Sequence, residues 1–203
     1  MASKKDPTRF LRWFRVLPML VLVIALAASA TLAASPTTLV AQVFYPVKYA
    51  EQIEESSARH GVDPLLVAAV AKCESNWNEA AESGAGAVGL MQVMPTTAAE
   101  LAECGLVDGA AYDAGDLTDG AVNIEYGCAY LGILQNELSS EDEVICAYNA
   151  GLGAVQKWLE EGGSVPENVG YSETKYYFER VKAAYEGYQK SYPNGLTLRA
   201  GTE

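Results

Sequence analysis

Residues 63–78 read "DPLLVAAVAKCESNWN", and how this stretch folds decides how the rest is read. Asp63 can accept hydrogen bonds from the free N–H groups of a helix start, and Pro64 occupies the first helical position, where a missing N–H costs nothing. The run "LLVAAVA" that follows is the most hydrophobic stretch outside the leader. Leu66, Val70, Cys73 and Trp77 recur at three- to four-residue spacing as a core stripe, and Glu74 falls on the edge of that stripe, near the helix's final turn. A glutamate at a helix end is ordinarily solvated. The rest of the chain has to say whether this one is.

Outward from this helix the periodicity stays helical from Lys48 onward. The pattern predicts a helix over Lys48–Arg59, ended by His60–Gly61, and an irregular segment over 79–94 that stops at Pro95. A helix opens there as "PTTAAELAEC", followed by a loop over Gly105–Leu117. A longer helix runs from Asp119 to Glu137, and short helices at 141–149 and 151–160 flank the break "NAGLG". After the loop "GGSVPENVGY", Ser172–Lys190 forms the last helix, with Tyr177, Val181, Ala184, Tyr185 and Tyr188 on one face. No internal repeat or β-hairpin signal appears, so the fold class is all-α.

The formal charge of −12 over 203 residues is unevenly spread. Lys4, Lys5, Arg9, Arg12 and Arg15 stand against Asp6 alone in residues 1–15, so the remainder carries −16. An acidic body repels phosphate backbones and argues against a nucleic-acid partner. Residues 16–34, "VLPMLVLVIALAASATLAA", contain no charge, and the basic flank keeps the N-terminus cytoplasmic while the rest is exported. The length is close to the roughly 20 residues of a spanning helix, so a transmembrane signal-anchor is expected. The alternative is a signal peptide cleaved at "ASA", Ala28–Ala30, which would release the protein. The expected layout is a basic cytoplasmic segment 1–15, the anchor 16–34, a linker 35–46, a domain 47–190 and a tail 191–203.

In the oxidising compartment beyond the membrane Cys73, Cys104, Cys128 and Cys146 can pair in three ways. The preferred pairing is Cys73 with Cys146 and Cys104 with Cys128, against the alternative that some are small buried hydrophobes. No close-spaced cysteine pair suggests a metal site, and a single histidine, His60, leaves no Cys/His cage.

Four blocks in order, "ESNWNEAAESGAGAVGLMQVMPTTA" (74–98), "NIEYGCAYL" (123–131), "AYNAG" (147–151) and "ETKYYFERV" (173–181), resemble the soluble lytic transglycosylase (SLT) domain. That family is lysozyme-like, on the fold of goose-type lysozyme, with a helical domain around a substrate cleft. The opening "FYPVKYAEQIEE" also resembles members held at the membrane by one N-terminal helix. The resemblance implies a cell-membrane enzyme with an extracytoplasmic domain, which acts on peptidoglycan glycan strands and needs no cofactor. It makes Glu74 the sole catalytic carboxylate. Glu74 would first protonate the oxygen between N-acetylmuramic acid and N-acetylglucosamine. As carboxylate it would then take the proton of the muramic acid C6 hydroxyl, which attacks C1 and closes a 1,6-anhydro ring.

Physical chemistry agrees, because packed apolar neighbours and the negative end of the helix dipole both favour the protonated form of Glu74. A two-carboxylate hydrolase needs a partner for that acid, whereas an intramolecular nucleophile does not. By resemblance the substrate-binding residues are Ser83, Gly89, Leu90, Met91, Gln92, Tyr148, Asn149 and Tyr177. Ser83 would reach the acid or the muramic ring, and Met91 would give an adaptable apolar contact. Gln92 would offer donor and acceptor to an acetamido group, and the Tyr177 hydroxyl would lie close to Glu74. Read without the family, Met91 is a core residue and both tyrosines are structural. Cys73 before Glu74 departs from the family pattern, and Glu82 raises the question of a second carboxylate, as Asp113, Asp116 and Asp119 do with less force. Two other readings stand beside this one: a goose-type muramidase that adds water, and a noncatalytic wall-binding or envelope-assembly module.

Overall fold

The structure, a computed structural model, describes residues 16–27, 29, 44–166, 169 and 172–197. The leader and the domain are separate units. In the leader, residues 16–27 are helical and their side chains are exposed. Among the described residues no helix is long and apolar enough to cross a membrane. Residues 1–15, 28, 30–43 and 198–203 lie outside the described residues, and with them most of the expected linker, part of the expected anchor and the end of the tail.

In the domain the described helices are α1 (Ala50–His60), α2 (Pro64–Ser75), α3 (Pro95–Glu103), α4 (Gly120–Glu137), α5 (Glu141–Ala150), α6 (Leu152–Glu160) and α7 (Ser172–Ser191). They form the all-α domain expected, and the 79–94 segment carries isolated antiparallel bridges between Glu82, Val88 and Val93. The first helix begins two residues later than its pattern suggests, because Tyr49 precedes it in a left-handed conformation.

At the centre lies α2. Asp63 caps it, one carboxylate oxygen accepting from Leu65 N at 2.7 Å and the other from the Tyr185 hydroxyl of α7. Leu66 to Ala71 are all at most 1% exposed, so the helix is buried on every side rather than along one stripe, as a run without polar residues permits. Burying Leu66, Val67 and Val70 contributes roughly 1.5–3 kcal/mol each. The helix α2 packs chiefly on α7, α1 packs on α4, and α5 touches α4, α6 and α7. The buried residues from Ile53 to Leu196 form one core cluster.

Residues 44–48 are stitched to the end of α2 and to α7. Lys72 Nζ donates to Phe44 O at 2.6 Å, Lys48 Nζ to Trp77 O at 3.0 Å, and the Tyr188 hydroxyl to Pro46 O at 2.8 Å. At the other end of the domain, Leu196 is buried and Thr197 bonds to the Glu54 carboxylate.

The four cysteines are free, so the expected Cys73–Cys146 and Cys104–Cys128 bridges are not formed. The physical reason is placement: Cys128 and Cys146 face the core from α4 and α5 at 0% exposure, whereas Cys104 is exposed at the end of α3 and Cys73 is half-buried. The core cysteines behave as the small buried hydrophobes of the alternative reading.

Candidate active site

The last turn of α2 delivers Glu74 to the boundary of the core, and the chain then reverses abruptly. Asn76 and Trp77 are both left-handed, with φ of 51° and 65°, a costly conformation for side chains with a Cβ and one that persists only where packing enforces it. The enforcing contacts are in place. Trp77 is 3% exposed, its indole N–H donates to the Tyr188 hydroxyl, and its carbonyl is held by Lys48.

Burial pushes the Glu74 carboxyl up to about 7, against the lowering influence of the Tyr177 hydroxyl and the Arg180 guanidinium. Solvation favours the charged form of a carboxylate, and Glu74 has lost most of it. Two tyrosines share this environment. Tyr177, on α7, and Tyr148, on α5, are both raised well above the usual phenol range, first by burial and then by the charge of Glu74. The Tyr177 hydroxyl is buried and makes no hydrogen bond within 3.5 Å among the described residues, although Glu74 is the group it acts on. Long contacts of this kind tighten when a ligand closes a site. The Tyr148 hydroxyl donates to Met91 O at 2.9 Å.

Beside Glu74 runs the 88–92 segment, held by its backbone. Ser75 Oγ, next to Glu74, donates to Leu90 O at 2.8 Å. Gly89 has φ 82°, and a Cβ there would stand 2.2 Å from Asn123 Nδ2 and 2.4 Å from Leu117 O, so only glycine fits. Leu90 and Met91 are fully buried, and Met91 packs on Gly127, where a Cβ would meet its sulfur at 2.3 Å. The apolar contact expected of Met91 is thus made with the core; what faces its neighbours across the segment is its carbonyl.

Other residues expected at the site spend polar atoms on the protein itself. Ser83 Oγ accepts from Ala87 N at 3.0 Å and closes a turn. Gln92 Nε2 donates to Ala81 O and Gly89 O, each at 3.1 Å. Asn149 is exposed, and its Oδ1 accepts from the buried Thr174 hydroxyl at 2.9 Å. The structure therefore gathers Glu74, Tyr148 and Tyr177, with Leu90 and Met91 joined to them through backbone carbonyls, while the side chains of Ser83 and Gln92 turn into their own loop.

The acidic residues raised as second carboxylates are placed elsewhere. Glu82 is exposed on a bridge strand position, Asp113 and Asp116 close loop turns, and Asp119 caps α4. Among the described residues no other carboxylate acts on Glu74. The buried carboxylate of the domain is Glu125, which accepts from Ser56 at 2.7 Å, Arg59 at 2.7 Å and His60 at 2.8 Å. Burial alone would raise it, but those donors outweigh burial and bring it down to about 2. A fully paired anion of that kind has neither the proton nor the free lone pairs for acid–base work. Two surface depressions, about 430 Å³ beside Gly132 and Ser140 and about 300 Å³ beside Trp158, are lined by none of the residues around Glu74. No group of described residues could hold a metal ion.

Sequence reasoning missed two residues. Arg180 donates to Cys73 O at 2.9 Å beside the acid; its signal was its spacing three after Tyr177, one turn along the same face. Asn123 opens the "NIEYGCAYL" block, and an amide in an apolar helix needs buried partners.

Comparison with known proteins places this geometry. The family model of the Transglycosylase SLT domain matches residues 51–169. The chain is 30% identical over 167 residues to the soluble lytic murein transglycosylase of Escherichia coli, covering 78% of this chain and 26% of that one. It is 38% identical over 116 residues to the membrane-bound lytic murein transglycosylase C of Haemophilus influenzae, covering 53% of this chain and 32% of that one. The crystal structure of the 70 kDa soluble lytic transglycosylase of E. coli superposes with a TM-score of 0.69 at 29% identity, over 80% of this chain and 27% of that one. The chain thus spans about a quarter to a third of the length of these relatives. Its helical domain, with Glu74 at the end of a buried helix, belongs to the Transglycosylase SLT domain family.

Proposed function

We propose that the domain is a peptidoglycan lytic transglycosylase that cleaves the β-1,4 bond between N-acetylmuramic acid and N-acetylglucosamine without water and leaves a 1,6-anhydromuramoyl end. The observation that carries this reading is one largely desolvated carboxyl, Glu74, raised to about 7 beside two un-ionised tyrosines, with no second carboxylate among the described residues acting on it. At neutral pH such a group holds its proton in a substantial fraction of molecules and releases it to a leaving oxygen. The bond from C1 to the bridging oxygen breaks as that oxygen takes the Glu74 proton. The C6 hydroxyl of the same muramic acid then forms its bond to C1 and returns a proton to Glu74. Atoms and charge balance, and the acid is restored.

The intramolecular nucleophile replaces an entropically costly encounter with water. Ser83, Gly89, Leu90, Met91, Gln92, Tyr148, Asn149 and Tyr177 serve as the substrate-binding set, Leu90 and Met91 through their backbone. The chain is held at the membrane through residues 16–34 with the domain outside; the supports are the uncharged run, its basic flank and the similarity to a membrane-bound relative.

Mass spectrometry of sacculi digested with the protein and with Glu74→Gln tests the reaction. Anhydro-muropeptide ends that disappear in the variant are expected. Reducing ends alone would identify a muramidase, and binding without soluble fragments would identify a wall-binding module. Extraction of membranes with alkaline carbonate tests the tether, since a peripheral protein would be released.

A further inference from the structure

The charged groups facing Glu74 are few. From its own helix comes the Cys73 thiol, raised by burial; from α5 comes Tyr148 and from α7 Tyr177, both raised and therefore neutral. Among the described residues this leaves Arg180 as the charge acting on Glu74. Its Nη2 donates to Cys73 O at 2.9 Å. That carbonyl lies in the last turn of α2, where carbonyls lose their intrahelical donors because the chain has turned away at Asn76 and Trp77. Arg180 is thus a helix cap supplied from another helix. Arg180 is exposed, and its guanidinium also lies 5.7 Å from the centre of the exposed Tyr176 ring, a second contact on the same side chain.

We propose that Arg180 is a positioning residue of this site: its bond to the Cys73 carbonyl fixes the turn that carries Glu74, and its permanent charge beside the carboxylate lets Glu74 alternate between acid and base. The proposal rests on the transglycosylase reading and deepens it. A one-carboxylate reaction makes opposite demands on one group. Burial alone serves the first half, in which the proton must be held until a leaving oxygen needs it. The second half requires that the anion exist long enough to receive the proton of the C6 hydroxyl, and a fixed cation at the mouth of a poorly solvated site stabilises that anion. Arginine suits this place because it stays charged and can keep one N–H on a carbonyl while presenting its charge elsewhere.

Two variants separate the hydrogen bond from the charge. Arg180→Gln retains a donor for Cys73 O but no charge; Arg180→Lys retains the charge. Glu74 is followed by the carboxyl carbon resonance of labelled glutamate, assigned by its loss in Glu74→Gln, and kcat and KM are measured on soluble glycan strands across pH. In Arg180→Gln the Glu74 midpoint and the alkaline limb of kcat both move to higher pH. At acidic pH, where Glu74 is protonated in either protein, kcat falls about tenfold with KM changed less than twofold. Arg180→Lys keeps the midpoint near that of the parent protein. An unmoved midpoint in a folded Arg180→Gln overturns the proposal, and a lowered melting temperature with an unmoved midpoint reduces Arg180 to a cap. A rise in KM alone also overturns it and makes Arg180 a substrate contact. If the midpoint moves but the parent protein forms no anhydro ends, the reaction assigned to the domain is wrong, and Arg180 keeps its electrostatic pairing without a catalytic purpose.

Discussion

The Asn123 side chain accepts a 2.7 Å hydrogen bond from Met91 N–H and, through its Nδ2, donates to Val88 O at 2.8 Å and Leu117 O at 2.9 Å. One buried amide thereby fixes the segment on which the site is built: Met91 O receives Tyr148, Leu90 O receives Ser75, and Ser75 adjoins Glu74.

Asn123→Ala removes three bonds and strips the buried Met91 N–H and the Leu117 carbonyl of these partners, while Val88 O keeps its bond from Val93 N, so it destabilises the domain by about 2–3 kcal/mol. Urea denaturation checks this, with the midpoint lowered and the slope unchanged. Activity should fall with the segment, although Asn123 is 0% exposed and touches no substrate.

Glu74→Gln abolishes cleavage, with a loss of at least about a thousandfold, and changes stability with a definite sign. The folded carboxyl titrates near 7 against an ordinary 4.5, so between those values the folded state binds a proton that the unfolded chain has released. Stability therefore falls as pH rises across that interval, by up to about 3 kcal/mol less what solvent screens. The glutamine variant escapes this penalty. It should melt higher than the parent protein near pH 8 and at the same temperature near pH 4; equal melting temperatures at both would show that Glu74 is solvated.

Glu125 carries the opposite sign. Its folded value is depressed to about 2, so its contribution is complete above the ordinary carboxylate range and is lost as pH falls through 4.5 towards 2, on the order of 3 kcal/mol. Glu125→Gln, which leaves Arg59 and His60 facing a neutral amide, should lower the melting temperature at pH 7 and flatten its decline in acid. The thermal midpoint measured from pH 7 to pH 2 decides it.

The cysteines give a check that needs no activity. With four free thiols of unequal burial, a thiol reagent should modify Cys104 rapidly and Cys73 more slowly, and should reach Cys128 and Cys146 only on unfolding. Fewer than four reactive thiols in denaturant without reductant would restore a bridge.

The sequence by itself determined the helical class, the helix starts at Pro64, capped by Asp63, and at Pro95, the long Asp119–Glu137 segment and the place of Glu74 in the last turn of its helix. These are written in local chemistry: a capping carboxylate, a proline without an N–H, apolar residues at helical spacing, and four blocks in a recognisable order. Tertiary structure alone decided what surrounds Glu74. The direction of Met91 depended on Gly127, which lies 36 positions away and makes room for its sulfur, so the sequence could not show whether that side chain met a cleft or the core. Cysteine pairing depended likewise on which helix faces point inward. Arg180 and Asn123 acquire their roles by capping backbone atoms of distant segments, and main-chain carbonyls have no letter in a sequence. The elevated proton affinity of Glu74 is the sum of such long-range arrangements, because desolvation depends on everything packed nearby rather than on the neighbours along the chain.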